Sequence, residues 1–598
     1  MTNSRIEMDQ ISYKDDSQDG LSIDVAIIGA GVSGLYAGYR LLTGECSDNI
    51  HPPSSVHIFD LDDRIGGRLL SIKLPGTDII GELGGMRYMT SQKITTTLIE
   101  DIFLLNYKSF PLGDPKNHFY YSRKQRFKGN AWDIAQKNNQ EFKTHYYLNK
   151  NEEGYSPNQL FNKVIYDVLI DDPWFVEKYG DSVKRINKYT YEFKIRARQW
   201  DDIKINLSYY KENSSYNGMK VREIGFWNLI KDRIGQEGYS FLADCGGYFS
   251  NTINWNSSEA MPYMVGDFSS DNVEYRTIEN GYDQLAYALA KNYNEAKGSQ
   301  LWMKNQLVTF KKDSNGKRNY TLKFWNKKGK YYWTVYADKV ILAMPRWSLK
   351  LLDQENFFFD KTKRNKLQRN IDSVFSEPSF KLLMGFEYPW WTKDFGTTAG
   401  ESITDLPIRQ CYYFGTDPKN SHSLFLGSYN DMRTVSFWNP LIQQKYNKSF
   451  KFDDINPDNK YLQKFEPHST KLVSKEKIEQ IFVPGNEASK NLVDEAMSQV
   501  EELHGIKIPP PYIVRIKDWS QDPYGGGYHA WHAGIHVNEV MPYMRRPICD
   551  ESIHIIGEAY SSQQGWTEGA FCVTENLLQE WFNLNRPYWL ADDYYLGW

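Results

Sequence analysis

Two glycine-rich strings, VAIIGAGVSG at 25–34 and IHIIGEAYSSQQGWTEGA at 553–570, hold the residues best placed for chemistry. In the first, Gly29, Gly31 and Gly34 follow an apolar run from Ile23 to Ile28 and precede a helical pattern from Val32 to Leu42. A G-x-G-x-x-G set between strand and helix suits a dinucleotide. The first glycine permits the tight turn, the second lets backbone approach a pyrophosphate, and the third lets helix pack on strand. The helix N-terminus favours the negative charge. A second strand, VHIF, ends at Asp60, whose carboxylate suits ribose hydroxyls. Asp60 lies further on than the roughly 20 residues of the simple pattern, and the polar stretch from Thr43 to Ser55 accounts for the excess as a loop.

Directly after Asp60, the run DRIGGRL supplies Arg64, Gly66, Gly67 and Arg68, a second close backbone approach with guanidiniums suited to neutralising phosphate. This spacing resembles the flavin amine oxidase family, which includes monoamine oxidases, polyamine oxidases and L-amino acid oxidases. The resemblance continues in register through ELGGMRY (82–88), YRTIENGYDQL (275–285), ADKVILAMPRWSL (337–349), FKLLMGFEYPWW (380–391), DWSQDPYGGGY (518–528) and the C-terminal string. It implies bound FAD, with Gly85, Leu307, Gly557, Glu558 and Trp566 joining the glycines, Asp60 and the two arginines around it. Glu558 is implied at the ribityl or phosphate region. The helix starting near Thr567 is implied at the pyrimidine end of the isoalloxazine, where a positive helix end stabilises the charge of reduced flavin. Where monoamine oxidases carry the cysteine that links the flavin, this chain has Gly527, so the FAD is expected to be non-covalent.

Within the family the chain looks most like the FAD-dependent L-amino acid oxidases. Amine oxidases need no cation at Arg87, whereas amino acid oxidases are similar to this chain in placing an arginine there to grip the α-carboxylate; a bidentate guanidinium sets charge and orientation together. The alternative for Arg87 is a pair with Glu82 or a phosphate. Tyr429 matches a tyrosine that donates to the same carboxylate, and Lys381 matches the lysine that holds a water near flavin N5. Gly565 and Trp566 match the place where glycine leaves room for the substrate amine beside an aromatic ring, with Tyr528 as the opposing wall. Arg87, Lys381, Tyr429 and Trp566 are therefore the expected catalytic set. Some relatives have a histidine above the flavin; MVGDFSS (264–270) offers none. The implied reaction passes a hydride from Cα to flavin N5, hydrolyses the imine to a 2-oxo acid and ammonia, and reduces O2 to H2O2. Amino acid 2-monooxygenases share the carboxylate clamp, amine or polyamine oxidases are disfavoured by Arg87, and a flavin-binding protein without turnover is the rival from another class. A preference for cationic side chains is expected from Asp431, supported by Asp267, Asp271 and Glu274, because a carboxylate in an enclosed pocket needs a partner. The alternative makes Asp431 the N-cap of the helix-like MRTVSFW.

With 598 residues the chain is long enough for two or three domains. A net charge of −4 leaves no basic excess for nucleic acid. Five cysteines lack metal-ligand spacing and, being odd in number, support neither a disulfide framework nor a metal site. The polar first 20 residues are no signal peptide, no stretch approaches the length of a membrane span, and a cytoplasmic address is the default. The expected partners are an L-amino acid and O2, with a homodimer left open.

Cofactor signals at the start, middle and end require a discontinuous domain. The expected class is α/β (α+β): a discontinuous Rossmann-like FAD-binding domain with an inserted mixed-sheet substrate domain and a helical domain. The polar tail is expected over 1–21, FAD-binding parts over 22–85, 275–345 and 546–586, and substrate-domain parts over 86–150 and 346–545. The helical domain is expected over 151–274, and an aromatic tail over 587–598. Ser156 caps a predicted helix through QLFNKVIYDVLI, VREIGFWNLIKDRI has helical spacing, and a helix is predicted near Asn486 to Leu503. RNYTLKFWN, KYYWTVYADKVILA, KLLMGFEY, SLFLGSY and PYIVRIKDW read as strands.

Overall fold

A computed structural model describes residues 5–46, 51–268, 274–314, 316–360, 362, 364–442 and 485–598. The apolar run before Gly29 forms the strand Leu21–Ile28, followed by the helix Val32–Thr43. That strand lies between Val56–Phe59 and Tyr331–Leu342, parallel to both, and Ser299–Trp302 extends the sheet beyond Val56–Phe59. Tyr331–Leu342 is long enough to take two further partners. Its first half pairs antiparallel with Tyr320–Asn326, and its last three residues pair parallel with Ile553–Ile555. A single sheet therefore gathers strands from both ends and the middle of the chain. This is a Rossmann-like domain with the second large sheet and the helical part inserted between its strands.

The second large sheet runs Asn486–Glu487, Ile513–Asp518, Ser379–Phe386, Ser423–Asp431, Gln410–Thr416, Gly400–Thr404, Phe119–Ser122, Gln125–Lys128. Every residue of Ser379–Phe386 is buried, because both faces are covered. Leu382 and Met384 pack in a core with Leu492 and Val500 of the helix Lys490–His504, while Leu383 packs with Leu70, Leu83 and Tyr412. In register, Lys381 lies opposite Tyr429 and Ser379 opposite Asp431. The helical part holds Pro157–Ile170, closed by the Ser156–Gln159 capping box, and Phe226–Cys245, with Gly235 at φ 70 between its two halves.

Four expectations need correction. The helix predicted from Asn486 starts at Lys490, because Ser489 Oγ accepts from Leu492 N at 3.2 Å; Asn486–Glu487 instead pairs as a strand. The boundary expected at 85/86 does not follow the sheets, since Tyr88–Met89 and Tyr107–Ser109 pair with Tyr275–Ile278 rather than join the second sheet. The N-terminal segment from residue 5 is no free tail. Arg5 grips Asp283 with two bonds of 2.8 Å, Ile11 is buried, and Lys14 exchanges backbone bonds with Leu301 and Met303. The aromatic C-terminal segment is likewise packed: Leu590 and Leu596 enter the first domain's core, and Tyr594 donates to Glu568 at 2.6 Å.

Candidate active site

One cavity of about 600 Å³ runs from the glycine turn to the second sheet. At its nucleotide end, Gly29 has φ +116, and a Cβ there would lie 2.3 Å from the Ala343 carbonyl oxygen. A Cβ on Gly34 would lie 1.9 Å from the Gly29 carbonyl oxygen, so helix and turn touch through hydrogen alone. Gly31 differs. A Cβ there would meet only Gly67 Cα at 4.0 Å, so the space beside the helix N-terminus is room kept for a ligand. Asp60 Oδ2 accepts from Ala30 N at 2.6 Å and Oδ1 from Asp62 N at 2.8 Å, which aims the carboxylate along the cavity wall with lone pairs remaining for hydroxyl donors. Burial pushes this carboxyl up. Gly66, Gly67, Gly85, Leu307 and Gly557 also line the cavity.

Both arginines line the cavity, and both are also engaged by protein groups. Arg64 donates to the carbonyls of Ile65, Gly67 and Leu69 and to Tyr524 Oη. With Gly66 and Gly67 at positive φ, those carbonyls turn inward and need a donor. Arg68 Nη1 pairs with Glu558 at 2.8 Å and donates to the Gly527 carbonyl at 3.0 Å. Glu558 itself takes four donors: Arg68, His529 N and Nδ1, and Gly565 N. Arg68 first, then His529, outweigh its desolvation and hold its carboxyl down at about 2. Glu558 thus joins the DRIGGRL loop, the strand after the triple glycine and the turn before Trp566.

The substrate end draws on five remote segments. Arg87 lines it, with its guanidinium 4.3 Å from the Tyr275 ring centre. The Glu82 carboxylate is turned away to Ser71 Oγ and Tyr282 N, so the expected alternative partner is engaged elsewhere. Tyr429 stands edge-on to Tyr248 at 5.3 Å. Tyr528, Gly565 and Trp566 are brought together: a Cβ on Gly565 would lie 3.4 Å from Tyr528 Cδ2 and 3.7 Å from Tyr263 Oη. Trp566 sits at the N-cap of the helix Thr567–Trp581, and Thr567 and Ala570 face the same cavity. Lys381 is one layer back. Its ammonium donates to the carbonyls of Gly84 at 2.7 Å and Glu82 at 3.3 Å and lies 4.3 Å from the Tyr429 ring centre. Burial pulls its pKa down, and burial beside Asp283 pushes Glu82 up.

Asp431 is not a pocket residue. It is 1% exposed, and its two oxygens accept the backbone N–H groups of Phe249 at 3.0 Å and Ser250 at 2.9 Å. It caps the short helix Phe249–Thr252, not the helical turn that follows it in sequence, whose start receives no side-chain bond. Strand alternation is the reason: Tyr429 and Asp431 share one face, but the 248–252 turn lies over Asp431 and closes it off. Glu274 is exposed and pairs with Arg276 at 2.9 Å; the side chains of Asp267 and Asp271 fall outside the described residues. The residues that sequence reasoning missed are Tyr248, Ser250, Asn251 and Tyr263, all lining the substrate end. Their segment carries no motif; its only signal is polar and aromatic residues around a Gly-Gly pair at 246–247.

Among the described residues no cluster of His, Cys, Asp and Glu is arranged to hold a metal ion. The open space at Gly31, the aimed Asp60 and the helix N-terminus at Thr567 fit FAD.

A family model described as flavin containing amine oxidoreductase matches residues 32–441. Aplysianin-A of Aplysia kurodai is 23% identical over 595 residues, covering 95% of this chain and 92% of its own. An L-amino-acid oxidase of Mus musculus is 24% identical over 407 residues, 68% of this chain and 53% of its own. A solved putrescine oxidase superposes with a TM-score of 0.58 at 14% identity, covering 93% of this chain and 98% of that one, which is a likeness of fold. With a family match over most of its length and a cavity built for the cofactor, the chain belongs to the flavin-containing amine oxidoreductases, FAD-dependent enzymes on a Rossmann-like frame.

Proposed function

We propose that the protein oxidises the α-amine of L-amino acids, yielding a 2-oxo acid, ammonia and H2O2. The observation that carries this reading is Arg87 in the wall of the cavity, beside Tyr429 and Tyr248. A guanidinium in a partly desolvated aromatic setting binds a carboxylate strongly and fixes its orientation. The chemistry that FAD supplies when bound is removal of two electrons and the Cα hydrogen, with O2 as the final acceptor. The chain's own residues do the rest. Arg87 anchors the carboxylate, Tyr429 supports it, and Tyr528 with Trp566 flanks the amine next to the space left at Gly565. Lys381, held by two backbone carbonyls behind Tyr429, contributes a hydrogen-bond donor at the back of that wall, and burial pulls its pKa down.

With Asp431 engaged by backbone amides, it offers no partner to a cationic side chain. The walls around Gly565 are instead the neutral side chains of Tyr248, Ser250, Asn251 and Tyr263.

The test is anaerobic mixing of the yellow holoenzyme with each L-amino acid, its amide and the matching amine, followed by product identification. Bleaching by the acids alone, with a 2-oxo acid released on admitting air, is the expected result. Equal bleaching by amides or amines removes Arg87 from the role, and an amide product reassigns the enzyme to oxidative decarboxylation. The flavin is held without a covalent bond in this reading: Gly527 leaves no side chain to attach it, and a Cβ there would lie 1.9 Å from Ser379 Oγ. Acid precipitation should leave the colour in the supernatant.

A further inference from the structure

Asp431 has a use other than the one its sequence position suggests. Its carboxylate accepts the N–H groups of Phe249 and Ser250, and Ser250 Oγ is hydrogen-bonded to Tyr528 Oη. The same short helix is held from the other side by Arg409. That fully buried guanidinium lies 3.7 Å from the Phe249 ring centre and donates to the carbonyls of Ala243 at 2.8 Å and Gly247 at 2.6 Å. Tyr528 is also held by its backbone, in register with Glu377, and by the buried Glu377 carboxyl, which bonds both Tyr528 and Ser250, and its ring forms the wall facing Gly565. One end of that wall is therefore set by a hydroxyl whose place depends on Asp431.

We propose that Asp431 is a positioning residue for the aromatic wall: through the 249–250 amides and the Ser250–Tyr528 hydroxyl pair it sets the tilt of the Tyr528 ring, and it makes no contact with substrate. A carboxylate suits this task because each oxygen accepts one amide, and bonds to an ionised acceptor are stronger than neutral ones. An asparagine of the same shape accepts one amide and turns its own NH2 toward the other. The proposal requires that amine oxidation takes place in this cavity, not that the amine belongs to an amino acid.

Asp431→Asn, Ser250→Ala, Tyr528→Phe and the double variant Asp431→Asn/Ser250→Ala are compared as holoenzymes by anaerobic stopped-flow reduction. Leucine and arginine serve as substrates, or whichever free amines reduce the parent if amino acids do not. Misplacing a reacting wall by a fraction of an ångström should slow flavin reduction roughly 10- to 100-fold. Each single variant should fall with KM little changed and with the arginine-to-leucine ratio of kcat/KM as in the parent. The double variant should be no slower than Asp431→Asn alone. A changed ratio would make Asp431 a substrate contact and overturn the proposal, as would losses that multiply in the double variant. Where Asp431→Asn fails to fold or to hold FAD, Ser250→Ala and Tyr528→Phe carry the test, since both leave the clamp intact. Unchanged reduction rates in that pair overturn the proposal as well.

Discussion

The two ends of the cavity are built on opposite principles. At the nucleotide end the contacts come from backbone close to a few motifs: the Gly29–Gly34 turn, Asp60 and the Gly66–Gly67 loop. Their shape is set by positive φ and by the absence of Cβ atoms. At the substrate end the walls are side chains from 87, 248–263, 429, 528 and 565–566, and each is held by residues from another segment. A motif-built site is fragile to any added atom and indifferent to distant charge. A site assembled from remote segments tolerates small changes of shape but depends on charges and hydroxyls that never touch the ligand.

The largest effect expected from breaking the comparison is at the turn. Gly34→Val places a side chain where even a Cβ would lie 1.9 Å from backbone, and overpacking against backbone should cost about 3 kcal/mol or more. FAD content and the thermal midpoint should both collapse, and a stable flavin-loaded variant would refute the close contact. Next is Arg87→Ala, expected to lose about 2 to 5 kcal/mol of transition-state binding for amino acids in kcat/KM. Its FAD content should stay full, because the nucleotide end does not involve it.

Glu558 joins the two ends, and its effect depends on pH. Its pKa in the folded protein, about 2, lies below the ordinary 4.5, so its contribution is present above 4.5 and is lost as pH falls toward 2. Glu558→Gln should therefore lower stability by about 3 kcal/mol at neutral pH, with the gap between the two melting curves closing below pH 4. A gap independent of pH would show that shape, not charge, does the work. The smallest effect has the opposite sign. Glu377, behind Tyr528, is 2% exposed; burial first and Asp431 second push its carboxyl well up, and Oε2 has no hydrogen-bond partner. A raised acid stabilises below its ordinary pKa and loses that contribution as pH rises. Glu377→Gln should therefore raise the melting temperature slightly, and more at pH 9 than at pH 5. A lower midpoint at high pH would mean that the ionised carboxylate is needed.

The DRIGGRL loop and the 248–252 turn mark how far the sequence could be read. The first has an acid, two glycines and two arginines in one short run, and its place at the cofactor was legible. What was not legible is where the guanidiniums go, because carbonyl directions follow from φ at Gly66 and Gly67 and from Glu558, some 490 residues away. The second has no spacing that repeats, so Tyr248, Ser250 and Asn251 were invisible. Asp431 shows the same limit from the other side. Two residues beyond Tyr429 on a strand, it shares that residue's face; the cover over that face comes from a segment some 180 residues away.

By itself the sequence determined the discontinuous Rossmann-like frame, the cofactor class, the family and the presence of a cation at 87. Each motif behind them is a set of residues within a few positions of one another, where helix and strand geometry translate spacing directly into direction, and the discontinuity follows from where those motifs fall along the chain. Only the tertiary structure decided which acid faces the ligand, which arginine is already paired, and how far Lys381 stands behind the wall. Those outcomes turn on competition for hydrogen-bond partners between segments hundreds of residues apart. A buried charge takes whichever donor the packing brings to it.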